Sequence, residues 1–114
     1  MHNTPKDQSL TGVEKSLFVK ATTLKSLLKE HMLYKSELRA LVRKYQSDHV
    51  INWRKDLSDR VIPEMEEEMQ SLQDGISYIL GGSSTQLIPS AEYYVLAEKV
   101  VAKMDKVELL VAAQ

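Results

Sequence analysis

Apolar residues recur at helical spacing through most of this 114-residue chain. Between residues 10 and 46 they follow one another three, four or seven positions apart, as on the buried side of a long amphipathic helix. The residues of this stripe are Leu10, Val13, Leu17, Leu24, Leu27, His31, Tyr34, Leu38, Leu41 and Tyr45, flanked by Ala21, Leu28 and Val42. We therefore predict a first helix of roughly nine or ten turns over residues 10–46.

A second apolar stripe follows Ser47 and Asp48, either of which can cap a helix by accepting from its free backbone amides. The stripe consists of Val50, Trp53 or Arg54, Leu57, Val61, Met65, Met69, Leu72, Ile76 and Ile79. Its middle part advances in three successive steps of four, which shifts the stripe around the helix as a stutter does. We predict a second helix over residues 49–80.

Pro63 lies in the middle of that shift. A proline removes one backbone hydrogen bond, and its ring crowds the carbonyl four residues earlier, here that of Asp59, at a cost of about 3 kcal/mol in a straight helix. No loop residues surround Pro63, and Ile62 would be a poor helix cap. We therefore expect the second helix to be kinked at the proline and not broken.

The sequence GGSSTQLIPS at residues 81–90 predicts the main linker, with Gly81 or Gly82 in the left-handed conformation and Ser90 as the next cap. The third stripe, over a helix at about 90–112, contains Tyr93, Leu96, Ala97, Val100, Val101, Met104, Val107, Leu110 and Val111. Short connections between long amphipathic helices predict an all-α, antiparallel three-helix bundle with spectrin-like coiled-coil packing. It would form one domain over residues 10–114, preceded by a flexible polar leader at 1–9.

Composition narrows the range of functions. The absence of cysteine excludes disulfides, thiolate metal sites and a cysteine nucleophile. No apolar run approaches the ~20 residues that cross a bilayer, and the first residues lack the apolar part of a signal peptide. We expect a cytosolic protein that does not bind membranes.

The net charge of −1 conceals an uneven distribution. Residues 1–46 hold nine Lys/Arg and four Asp/Glu, whereas residues 47–80 hold three and eight. This polarity favours attraction between neighbouring helices, or a surface with one basic and one acidic side. A nucleic-acid binder would need a basic excess over the whole domain, so no nucleic acid is expected as a partner.

Candidate catalytic groups are few. His31 lies on the first stripe without a second ligand at E-x-x-H or H-x-x-x-H spacing, so we expect a buried structural histidine and not a metal ligand. Ser47, Asp48 and His49 are adjacent in sequence, whereas catalytic triads meet through folding. The segment GGSSTQ lacks the G-K-[ST] ending of a phosphate loop. We expect no enzymatic activity, no metal and no cofactor.

Two surface features suggest a partner. Phe18, Val19, Met32 and Leu33 fall off the first stripe, among the basic residues Lys15, Lys25, Lys29, Arg39 and Arg43. Exposed apolar side chains among cations are typical of a contact surface, although a fourth helix or a dimer partner would cover them equally well. Trp53 either closes one end of the bundle or belongs to this surface.

The acidic run from Glu64 to Glu68 is the second feature. Glu64 and Glu67 share one helix face and are candidates for binding a partner or a cation. The alternative is that Glu64, Glu66, Glu67 and Glu68 form a solvated face near a helix start.

Three segments resemble the tubulin-binding cofactor A family, also called tubulin-specific chaperone A. They are LLKEHMLYKSE at 27–37, Ile62-Pro63-Glu64 with Ile79-Leu80 further on, and AEYYVLA at 91–97, and the likeness spans roughly residues 20–107. The chain departs from the family pattern in its longer polar leader, its glycine-serine linker and its lower charge in the third helix.

The resemblance implies a cofactor-free, cytosolic and cytoskeleton-associated chaperone. Such a protein captures folding-competent β-tubulin after chaperonin release and hands it on, with other tubulin-folding cofactors, for αβ-tubulin assembly. Family members are monomers or homodimers and bind through outward helix faces. The candidate partner-binding residues are Phe18, Lys25, Lys29, Glu30, Met32, Tyr34, Glu37, Arg39, Glu64 and Glu67. The alternative function is a structural coiled-coil subunit of a larger cytosolic complex.

Overall fold

The computed structural model describes residues 12–43, 47–82 and 87–110, which are largely helical and contain no strand. The elements are α1 (Gly12–Val42), α2 (Asp48–Asp56), a π-helical turn (Leu57–Val61), α3 (Ile62–Gly81) and α4 (Glu92–Asp105). Helices α1, α3 and α4 each pack against the other two. The predicted leader and the stripe residues Leu10, Tyr45 and Val111 lie outside the described residues.

The first stripe is confirmed over most of α1, where Leu17, Ala21, Leu24, His31 and Leu41 are buried. Three residues of α1 differ from the prediction. Val13 and Val42, near the two ends of the helix, are exposed, and Phe18, predicted to face outwards, is half-buried and packs against the main core. Phe18 is covered because α1 contacts two helices, so its buried side is wider than a single heptad seam.

Ser47, one of the two predicted caps, begins the second helix by accepting a hydrogen bond from the Val50 N–H at 3.2 Å. From there α2, the π-helical turn and α3 follow one another without an intervening loop. The buried residues along them are Leu57, Ile62, Glu66, Met69 and Ile76. The predicted stripe members Val61 and Met65 pack against the core but are only half-buried, so the fully buried positions depart from the predicted series of four-residue steps.

The π-helical turn explains this difference. The Ile62 N–H donates to the Leu57 carbonyl five residues earlier, and this wider turn brings both side chains to the same buried side. Pro63 follows directly, in the first turn of α3. In a regular α-helix the Pro63 ring would crowd the carbonyl of Asp59. Asp59 lies within the π-helical turn, so the wider turn occurs at the position where the proline would cause this clash.

The ends of two helices differ from the sequence predictions. Neither Gly81 nor Gly82 has a positive φ, and Gly82 leaves α3 in an extended conformation with φ −73° and ψ 162°. At the start of α4 the cap position is Ala91 and not Ser90, and it makes no side-chain capping bond. Here the Ala91 N–H instead closes a turn onto the Ile88 carbonyl at 2.9 Å.

Helix α4 also ends earlier than predicted, at Asp105 and not near residue 112. The Lys106 and Val107 N–H groups still bond to carbonyls three residues earlier, at 3.1 Å, but residues 107–109 are not helical. The Leu110 N–H is turned towards α3, where it donates to Glu66 Oε2 at 2.7 Å. A side-chain acceptor on a neighbouring helix therefore replaces the helical carbonyl for this amide.

The buried residues form two clusters. The larger one joins the N-terminal part of α1 to α3 and α4 through Leu17, Ala21, Leu24, Met69, Ile76, Tyr93, Ala97, Val100 and Met104. The smaller one joins Leu41, near the end of α1, to Leu57 and Ile62. Trp53 packs against the smaller cluster, and its Nε1–H donates to Glu37, which favours the packing role over the contact-surface role.

A buried tyrosine ties the start of α1 to α4. The Tyr93 hydroxyl donates to Glu14 Oε2 at 2.7 Å and accepts from the Ile88 N–H at 3.0 Å. Burial, and secondarily the hydrogen bond to Glu14, raises the pKa of Tyr93 above the ordinary tyrosine value. The neutral phenol is therefore the form that the fold stabilises.

This tie predicts a loss of stability at alkaline pH. Because the folded-state pKa of Tyr93 is raised, the contribution of the neutral phenol is complete below about pH 10 and is lost as the pH rises through the folded-state pKa. Tyr93→Phe should be less stable at pH 7 by about 1–3 kcal/mol, because the Glu14 carboxyl and the Ile88 N–H each lose their hydrogen bond to the tyrosine hydroxyl.

Urea unfolding as a function of pH measures both effects. Above about pH 10 the free energy of unfolding should fall less steeply in Tyr93→Phe than in the unmodified protein. Tyr78→Phe is the control, because the Tyr78 side chain is 84% exposed. Equal slopes for the unmodified protein and Tyr93→Phe would contradict the assignment.

Candidate functional site

A groove of ≈ 500 Å³ lies between α1 and the C-terminal end of α4. Five of its lining residues are cations and three are apolar, and we call it the basic groove. Its lining consists of Lys25, Leu28, Lys29, His31, Met32, Lys35, Arg39, Lys103 and Val107.

Helical spacing brings most of these residues together. The α1 members follow one another at intervals of one to four residues from Lys25 to Arg39, as expected for one side of a helix. Two pairs of like charge, Lys25 with Lys29 and Lys35 with Arg39, lie at i, i+4. Each such pair destabilises a helix by roughly 0.2–0.5 kcal/mol, so helix stability does not account for the cations.

The cations of the groove are not neutralised within the part of the chain that the structure describes. There, Lys25, Lys29, Arg39 and Lys103 take part in no ion pair. Lys35 donates to the backbone carbonyl of Glu108 at 2.5 Å, a bond to a group without net charge. The groove therefore presents positive charge beside apolar surface.

A buried polar contact lies beneath the groove. His31 Nε2 is 2.6 Å from Glu66 Oε2, and the two residues are only 2% and 1% exposed. The same Glu66 oxygen accepts from the Leu110 N–H at 2.7 Å. One carboxylate thus joins α1, α3 and the segment after α4, and that segment includes the groove residue Val107.

These contacts confirm the buried position predicted for His31 and correct one other expectation. The carboxylate that accompanies His31 comes from another helix, which spacing within α1 cannot indicate. Glu66 was expected to share the solvated face of the acidic run and is instead buried. It falls four residues after Ile62 and three before Met69, so it lies on the side of the helix that faces α1.

The structure brings four of the ten candidate partner-binding residues together. Lys25, Lys29, Met32 and Arg39 all line the basic groove, and the Met32 side chain is 62% exposed. Glu30 is exposed outside the groove lining.

The other candidates lie elsewhere. Phe18 packs in the main core and Tyr34 against the smaller cluster. Glu37 is bonded to Trp53. On α3, Glu64 is exposed, with an oxygen 3.8 Å from Arg60, and Glu67 is also exposed. The ten residues therefore do not form a single surface.

Sequence reasoning missed part of the groove. Lys35 lies four residues before Arg39, so helical spacing alone was a sufficient signal for it. Lys103 comes from α4 and Val107 from the segment just after it, and their proximity to α1 depends on tertiary packing. Leu28 was assigned to the core side of α1 and contributes to the groove as well.

The chain matches no protein-family model, no curated protein and no solved structure. Among the described residues, no group of three or more His, Asp or Glu side chains is placed to hold a metal ion. None of the described helices is long and apolar enough to cross a membrane.

Replacing Glu66 tests the buried contact. Glu66→Ala should lower the free energy of unfolding by about 1–3 kcal/mol for each of the two groups that lose this acceptor, His31 and the Leu110 N–H. Glu67→Ala is the matched control on the adjacent, exposed position and should change stability by less than about 0.5 kcal/mol. Urea unfolding followed by circular dichroism measures both values. Similar small losses for the two variants would contradict the role of Glu66.

Proposed function

We propose that this protein is a tubulin-folding chaperone, which captures folding-competent β-tubulin after chaperonin release and hands it on for αβ-tubulin assembly. It acts in the cytoplasm with other tubulin-folding cofactors, as a monomer or homodimer, and it is not an enzyme and uses no cofactor. The observation that carries a binding function is the basic groove, where cations that form no ion pair with any described residue flank an exposed methionine. The choice of β-tubulin rests on the resemblance to tubulin-binding cofactor A.

We further propose an antiparallel course for the three helices, with a bend near Pro63. The pairing of helix ends in the core supports this arrangement. Leu17, near the start of α1, belongs to the same cluster as Ile76, late in α3. Leu41 near the end of α1 shares the other cluster with Leu57 and Ile62, at the beginning of the second helix. Such crossed pairing is typical of neighbouring helices that run in opposite directions.

The alternative is a structural subunit of a larger helical complex. Its support comes from exposed apolar residues outside the groove, namely Val19, Leu33 and Val42 on α1. Such residues are expected where a sister helix packs. Light scattering at several concentrations separates the two functions: an obligate oligomer favours the subunit, and a compact monomer favours the chaperone.

Direct capture tests the tubulin assignment. The immobilised protein is incubated with labelled β-tubulin newly released from the chaperonin, and bound β-tubulin is quantified. Reversing Lys25, Lys29 and Arg39 to Glu should lower capture about tenfold or more, because three groove cations become anions. Reversal of the exposed residues Lys15, Lys55 and Lys99, which do not line the groove, makes the same change in net charge and serves as the control.

The outcome distinguishes three cases. Capture that the groove variant alone reduces supports the proposal. Capture that both charge variants reduce equally reflects net charge alone. No capture of β-tubulin by the folded, unmodified protein contradicts the chaperone function.

A further inference from the structure

We propose that the basic groove binds an acidic amphipathic helix of a partner protein. The carboxylates of that helix would contact the groove cations, and its apolar side chains would pack on Met32, Leu28 and Val107. This inference deepens the proposed function, on which it rests only for the identity of the partner. It specifies the chemistry of the segment that the protein recognises.

The distribution of charge along α1 indicates an elongated ligand. Lys25 and Lys29 precede Met32, whereas Lys35 and Arg39 follow it, so cations lie on both sides of the apolar centre. The distance from residue 25 to residue 39 along a helix is about 21 Å at 1.5 Å per residue. A helix of about four turns covers that length, and a small anion does not.

The side of the groove opposite α1 has the same combination of positive charge and apolar surface. Lys103 and Val107 face the groove from the end of α4, which pairs a cation with an apolar residue on that side too. Amphipathic helices that bind in grooves place apolar residues on the floor and polar residues along the edges. Because the groove lining combines five cations with three apolar residues, charge complementarity requires acidic residues beside the apolar ones on the ligand.

A second copy of this chain fits the groove less well. The acids that would enter it, Glu64, Glu67 and Glu68, are exposed on α3, whereas the groove is lined by α1, α4 and the residues just after α4. Two different surfaces would meet, and such heterologous contacts form rings or open polymers unless the geometry closes them. A nucleic acid is disfavoured because the whole chain carries a net charge of −1.

Neighbouring residues offer a matched pair of apolar variants. Met32 and Leu33 are 62% and 64% exposed, but only Met32 lines the groove. Met32→Ser should therefore weaken ligand binding, while Leu33→Ser should not. The matched charge variants are Lys29→Glu with Arg39→Glu in the groove, and Lys15→Glu with Lys55→Glu outside it.

The experiment uses the full chain and a designed helical peptide of about 18 residues, with leucines at i, i+3, i+4 and i+7, a few glutamates beside them and alanines elsewhere to keep the peptide helical. Binding is measured by fluorescence anisotropy of the labelled peptide. We expect saturable binding that weakens about tenfold in the double groove variant and in Met32→Ser. The outside charge variant and Leu33→Ser should stay within about twofold of the unmodified protein. Circular dichroism checks that each variant keeps its helicity.

Two control peptides test the chemistry of the ligand. A peptide with lysines in place of the glutamates should not bind, and one with serines in place of the leucines should bind about tenfold more weakly. Equal binding of the glutamate peptides with and without leucine would overturn the proposal in favour of simple charge attraction. Equal losses in the groove and outside charge variants would also overturn it.

The results also separate this inference from the tubulin assignment. Peptide binding at the groove without β-tubulin capture supports the inference and contradicts the proposed function. β-Tubulin capture that is unaffected by the groove variants, together with no peptide binding, supports the chaperone function and contradicts this inference. Concentration-dependent self-association that the groove variants abolish would identify a second copy as the ligand and overturn the inference.

Discussion

The buried carboxylate of Glu66 is the constraint on which the arrangement of this protein depends. Removing a carboxylate from water costs several kcal/mol unless other groups replace its hydration. Here His31 from α1 and the Leu110 N–H bond to the same Glu66 oxygen, at 2.6 and 2.7 Å. Because these two partners come from different parts of the chain, the Glu66 carboxylate keeps both contacts only when α1, α3 and the segment after α4 are in place together.

The groove depends on that same contact. Val107 and Lys103 form its α4 side, and the chain just beyond them is held to α3 through Leu110 and to α1 through the bond from Lys35 to Glu108. A wall fixed in this way loses little conformational freedom when a ligand binds, which favours affinity. The shape of the groove therefore depends on the buried contact between Glu66, His31 and Leu110.

Periodicity predicted the elements that follow ordinary helical geometry. Leu17, Leu24 and Ala97 are buried as expected, because regular α-helices place their side chains at fixed angles. The prediction was wrong between Leu57 and Glu66, where a π-helical turn adds one residue to the step and moves burial from Val61 to Ile62. A pattern analysis that assumes the α-helical period cannot detect this turn.

Contacts between helices explain the remaining differences. The early end of α4 and the burial of Glu66 both follow from a bond between Glu66 and Leu110, which are 44 positions apart in sequence. The sequence predicted a contact surface on α1, and four of its candidate residues, Lys25, Lys29, Met32 and Arg39, line the groove. Spacing within one helix thus identified four of the nine lining residues, whereas Lys103 and Val107 are brought to α1 by packing between helices.

Hydrogen exchange at the Leu110 amide tests whether Glu66 holds the segment after α4 in place. This amide follows the non-helical residues 107–109, so its protection depends on the Glu66 carboxylate. We expect the Leu110 amide of the unmodified protein to exchange slowly in nuclear magnetic resonance measurements, at a rate comparable to that of amides in the middle of α4. Exchange as fast as that of an unstructured peptide would show that Glu66 does not hold this segment, and would contradict the account.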